Sequence, residues 1–233
     1  MALTNTYWRV TVALHHKTEQ MNKIELDIQQ AKQYYSYSQF KEMVNSLYTK
    51  GLNTGPKQID VLIESTKMSI QRMKKWDKIF KISPMIKSNL MQIQDSWTWY
   101  VITEGWCGDA SQILPVIAKL AGENENIELK ILLRDENPDI MRNYLTNGGM
   151  AIPILVAVNN ETGESTPHFG PRPLAIQEMV QEFKANPENN PSEFSKTLHF
   201  WYAKDKGLST QFDVMNLVNT HMIQGEESLH QVV

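Results

Sequence analysis

The chain has 233 residues, a formal net charge of −3, and 41% hydrophobic and 21% charged residues, the composition of an ordinary globular protein. That balance gives a nucleic-acid partner no electrostatic footing, and no run approaches the roughly 20 apolar residues of a membrane-spanning helix. With one cysteine, Cys107, neither an intramolecular disulfide nor a multi-thiolate zinc site can be built.

Residues 1–20 hold a short apolar stretch (Val10, Val12, Ala13, Leu14) interrupted by Arg9 and Thr11. It lacks the continuous core of roughly 7–15 apolar residues of a signal peptide, so a cytoplasmic, reducing location is expected. These residues read as an extension, either disordered or ahead of a true start at Met21. A helical period then runs from Tyr34 to Tyr48 through Tyr37, Phe40, Val44 and Leu47, with Gly51 where it would stop. After Thr54-Gly55-Pro56, a second amphipathic helix fits Gln58 to Phe80, with Ile59, Leu62, Ile63, Ile70, Met73 and Phe80 on its apolar face. Lys74, Lys75 and Lys78 give it a solvated basic side. Ser83-Pro84 reads as the N-cap and first position of a third, short helix ending near Ile93. Residues 21–94 are thus expected to form a helical region packed on the core.

The character changes at Ser96. Trp97 to Ile102 is bulky and nearly continuously apolar, as suits a strand buried on both faces. Asp109 to Leu120 is helical by pattern, and Ile127 to Leu133 reads as a strand. A short helix, Pro138 to Leu145, is stopped by Asn147-Gly148-Gly149, with Asp135, Glu136 and Asp139 expected to cap it. Ile154 to Val158 reads as a strand, Asn159 to Gly163 as a turn, and Thr166 to Gly170 as an edge strand. Ala175 to Phe183 has amphipathic helical spacing, Asn186 to Pro191 is a polar loop, and helices are expected over Ser192 to Lys206 and Thr210 to Ile223. From Ser96 onward the order is β-α-β-α-β-(β)-α, which opens with a βαβ unit.

Cys107 lies between a strand and a helix start, flanked by Trp106 and Gly108. There the unsatisfied N–H groups and the helix dipole favour a thiolate, and such thiols can fall from about 8.5 to roughly 3.5–7.5. Asp109 opposes this with a like charge, or caps the helix with its carboxylate. The alternative is a buried structural cysteine.

Trp106-Cys107-Gly108-Asp109-Ala110 resembles the Trp-Cys-Gly-Pro-Cys motif of the thioredoxin family. Pro115 matches the proline that kinks the helix after that motif, and Ala151-Ile152-Pro153-Ile154 resembles the family's cis-proline loop, which faces the thiol. The resemblance covers residues from about 96 to 186. With Thr103-Glu104-Gly105 ahead of the motif and Gly170-Pro171-Arg172-Pro173, the whole chain is similar to a group of bacterial thioredoxin-like proteins, mostly from Bacteroidetes. It implies an α/β, thioredoxin-like fold: a central mixed sheet flanked by helices over residues 95–186, an N-terminal helical extension, and a C-terminal one over residues 187–233.

The departures decide the chemistry. Ala110 stands where the resolving cysteine belongs, so dithiol turnover is lost. Val101 replaces the buried acid that serves that second thiol, and Asp109 replaces the motif proline. Monothiol chemistry survives: Cys107 attacks a mixed disulfide, and an external small thiol completes the cycle as co-substrate. The resemblance places Trp106, Gly108, Asp109, Ala110, Ile152 and Pro153 around the substrate. Arg172, in the loop after the last strand, would pair with a small thiol's carboxylate or serve as a surface or ion-pair residue. The histidines show no metal-ligand spacing and no Gly-rich phosphate loop occurs, so neither a metal nor another cofactor is expected. Two functions stand open: monothiol exchange with a protein or small-thiol mixed disulfide, and a non-catalytic protein-binding module in which Cys107 is incidental or a redox sensor.

Overall fold

The computed structural model describes residues 28–186 and 190–222; the expectations for residues 1–20 and for Ile223 lie outside them. Three strands form one sheet in the order β2-β1-β3, from β1 (Trp97–Thr103), β2 (Ile127–Leu133) and β3 (Ile154–Asn159). β2 runs parallel to the central β1, with Trp97 opposite Ile127, and β3 runs antiparallel, with Trp97 opposite Asn159. All seven residues of β1 are buried, because a central strand must face apolar layers on both sides.

Its period of two splits the core. Trp97, Trp99 and Val101 face one cluster, and Tyr100 and Ile102 face the other. The larger cluster is built from helices α1 (Tyr37–Thr49), α2 (Asp60–Ile79), α3 (Pro84–Leu90) and α4 (Ala110–Ala121), together with α6 (Leu174–Ala185), α7 (Pro191–Asp205) and α8 (Leu208–His221). The smaller holds Ile28, Cys107, Ile152 and the short helix α5 (Pro138–Met141) with the tighter turn after it, Arg142–Tyr144. The helices before and after the sheet therefore share a single core with α4.

Several expectations need correction. The buried face of α2 is Thr66, Ser69, Met73 and Trp76, while Ile59 is 51% exposed. α2 crosses α4, and small side chains permit the close approach that larger apolar ones would block. The edge strand over residues 166–170 reduces to two isolated bridges on β3, Val158 with Ser165 and Leu155 with Phe169. Asp135, Glu136 and Asp139 do not cap α5, whose N-cap is Asn137; Asp135 pairs with Arg134 and Asp139 with Arg142. Ser83 stands at the N-cap of α3 without a side-chain cap, and its N–H donates to Gln211 Oε1 of α8 at 2.9 Å. Among the described residues no helix is long and apolar enough to cross a membrane.

Candidate functional site at the start of α4

Cys107 sits between the end of β1 and the start of α4. Its N–H donates to the Glu104 carbonyl at 3.1 Å, and its own carbonyl accepts from Ser111 N at 3.1 Å and from Ser69 Oγ of α2 at 3.4 Å. The sulfur accepts from the Ala110 N–H at 3.4 Å and can donate to the Ile152 carbonyl, also at 3.4 Å. The Ile152–Pro153 peptide is cis. The sulfur thus meets Ala110 and Ile152, the residue next to Pro153.

The electrostatics differ from the sequence expectation. Cys107 is 7% exposed within the apolar cluster of Ile102, Ala110 and Ile152. Burial first, and the Asp109 charge second, push the thiol up to about 12. The Ala110 and Asp109 N–H groups and the Arg172 charge act the other way and are outweighed. A helix end favours a thiolate where solvent also reaches the sulfur; here desolvation dominates.

Asp109 stands at the N-cap of α4 without a side-chain cap bond. Its backbone is helical, and its carboxylate turns to Arg172 Nη2 at 2.6 Å and to the Tyr202 hydroxyl at 2.9 Å. Asp109 itself is 7% exposed, so the pair is a shielded one. Burial works against the Arg172 charge, yet Asp109 holds the guanidinium above its ordinary value. Burial, then Asp109, drives Tyr202 well above its own. Gly108 is flanked by both outer helical regions: a Cβ there would lie 3.4 Å from Arg72 Nη1 of α2 and 3.6 Å from His199 Cε1 of α7. Gln112 of α4 links the same two helices, accepting from Trp76 Nε1 and meeting His199 Nδ1 at 3.4 Å.

Trp106 turns the other way. Its Nε1–H donates to the Thr54 carbonyl at 3.1 Å, and the Arg134 guanidinium lies 4.9 Å over its ring. It lines a groove of about 490 Å³ with Ile59, Leu62, Pro138 and Met150.

A family model described as thioredoxin matches residues 55–184, more than half of the chain. The chain belongs to the thioredoxin family. The match reaches back through α2 and α3, so this thioredoxin relative carries those helices within the matched region. No curated protein matches the chain. Solved structures that resemble it include a protein of unknown function from Pseudomonas aeruginosa, at 18% identity and TM-score 0.49 over 80% of this chain and 98% of that one. An HIV epitope scaffold matches at 17% identity and TM-score 0.48 over 80% of this chain and 99% of that one. A yeast mitochondrial 1-Cys peroxiredoxin matches at 19% and 0.29 over 46% and 97%.

Four participants escaped the sequence reading. Tyr202 lies within the helix expected over Ser192 to Lys206, and its hydroxyl gave no separate signal. Arg72 and His199 belong to distant helices whose crossing with α4 no local pattern encodes. Glu104 had a signal: an acid at the end of an otherwise apolar strand, directly before the motif. It is 1% exposed, and burial first pushes its carboxyl up to about 7. Among the described residues no three His, Cys, Asp or Glu side chains group as metal ligands.

Proposed function

We propose that this thioredoxin-family protein is a binding module whose motif thiol is held closed, and that it acts by recognising a polypeptide partner without thiol turnover. One observation carries this reading: the Cys107 sulfur is buried, its titration is pushed up to about 12, and the charge beside it is consumed by Arg172 and Tyr202. A thiolate is the nucleophile in exchange, and little of it exists here at neutral pH. Ala110 offers no resolving thiol, so the family's two-cysteine cycle has no second step. A reducing, cytoplasmic setting belongs to the same proposal, since one cysteine is all the chain supplies.

Monothiol exchange with an external small thiol is the second reading. It is favoured by the sulfur lying 3.4 Å from both the Ala110 N–H and the Ile152 carbonyl beside Pro153. That arrangement would receive a mixed disulfide if the thiol were uncovered.

Alkylation of Cys107 in the folded protein separates the two. A thiol titrating near 12 should react about 10³-fold more slowly at pH 8 than an ordinary thiol near 8.5, and its rate should rise about tenfold per pH unit to pH 10. Deglutathionylation of a mixed-disulfide substrate in the presence of excess small thiol should show no catalysis. A rate plateau below pH 8, or catalysed deglutathionylation lost in Cys107→Ser, would establish exchange instead.

A further inference from the structure

Just ahead of the motif a second carboxyl is enclosed. Glu104 follows β1 directly and is 1% exposed. Its Oε1 accepts from the Asp135 N–H at 2.8 Å, while Oε2 is buried without a hydrogen-bond partner. The segment around Thr54 closes over it. Thr54 Oγ1 accepts from the Gly105 N–H at 2.8 Å, and the Thr54 carbonyl accepts from Trp106 Nε1 at 3.1 Å. The closure is tight: a Cβ on Gly105 would lie 2.8 Å from Val44 Cγ2, and one on Gly55 2.6 Å from Asp135 Oδ2. Thr54, Trp106, Arg134 and Asp135 also line the 490 Å³ groove, so the polar wall of that groove is bonded to, or stacked on, what encloses Glu104.

We propose that Glu104 is a proton-operated clasp: neutral, it keeps the Thr54 segment shut against Trp106, and ionised, it loosens that segment and opens the groove. This holds whatever Cys107 does. The enclosed, half-bonded carboxyl favours its neutral form, because a buried charge with an unpaired oxygen is costly. Asp135 adds a like charge and raises the carboxyl further; Arg134, the Thr54 hydroxyl and the Asp135 N–H favour the ion. α1 presents the apolar Val44 to Gly105, and Lys57 is the charge that the loop itself brings to the groove. Ionisation therefore places two carboxylates together under the loop, with Arg134 already engaged by Asp135 at 2.7 Å. Moving the Thr54 segment outward admits water to Oε2 and breaks the bond that holds Trp106.

The test is a pH titration of the full chain by NMR, following the Glu104 carboxyl carbon, the Gly105 amide and the Trp106 indole N–H. All three should share one midpoint near neutrality, and protection of the indole proton should fall about tenfold from pH 6 to pH 8. In Glu104→Gln the Gly105 and Trp106 responses should be lost. A Glu104 carboxyl that titrates near the ordinary 4.5, or Gly105 and Trp106 responses that persist in Glu104→Gln, would overturn the clasp. Should that variant fail to fold, the wild-type titration still decides it, since unequal midpoints for Glu104 and Trp106 would do the same.

Discussion

Two carboxylates stand on either side of Cys107, both almost wholly buried, and the fold treats them in opposite ways. Asp109 meets a guanidinium at 2.6 Å and a phenol at 2.9 Å. Glu104 meets no such cation at its carboxyl: it accepts the Asp135 N–H at 2.8 Å, with the Thr54 hydroxyl beside it. Asp109 becomes a fixed anchor that ties α7 and the Arg172 loop to the motif. Glu104 is left with its titration pushed up to about 7, by burial first.

The sharpest way to break the comparison is to make Asp109 resemble Glu104. Arg172→Ala strands the Asp109 carboxylate, and removing one member of a shielded pair should cost about 3 kcal/mol or more by urea unfolding. The Glu104 side gives the next effect, and its sign is opposite to that of a paired acid. Because its folded titration lies at about 7 against an ordinary 4.5, the native state holds the proton longer than the unfolded chain. Stability should then fall as pH rises from 4.5 to 7, by on the order of 3 kcal/mol, and stay level above. Glu104→Gln should flatten that slope in pH-dependent unfolding. Tyr202→Phe removes one hydrogen bond to a charged acceptor and should cost about 2 kcal/mol in the same assay. It should also speed alkylation of Cys107 if α7 contributes to closing the thiol. Smallest of all, Asp135→Asn should lower the Glu104 midpoint by less than about one pH unit in the NMR titration, since Asp135 ranks below burial among its causes.

Much of the scaffold was legible. The run from Trp97 read as a strand because bulky apolar residues without polar alternation suit a central position. The strand-motif-helix order placed Cys107 beside α4, and the loop at Ile152 and Pro153 does meet the sulfur. The charges around it were legible only in part. Asp109 does oppose a thiolate and Arg172 is an ion-pair residue, as two of the sequence alternatives had it, but that they are each other's partner was not legible. In the fold they find each other across 63 residues of chain, a pairing that neither local spacing nor helix-end chemistry contains. The thiol's state failed with it, since helix-end electrostatics are local and desolvation is not.

What the chain alone determined was which groups are available: one thiol, no second thiol at Ala110, a strand able to be central, and helices with apolar faces. Periodicity and turn chemistry act over a few residues, so they are readable in order along the chain. Which charges are matched and which are left wanting was decided only when α2, α7 and the Thr54 segment closed around the start of α4. Charge energies depend on distance and on the exclusion of water, and both arise from contacts between segments remote in sequence.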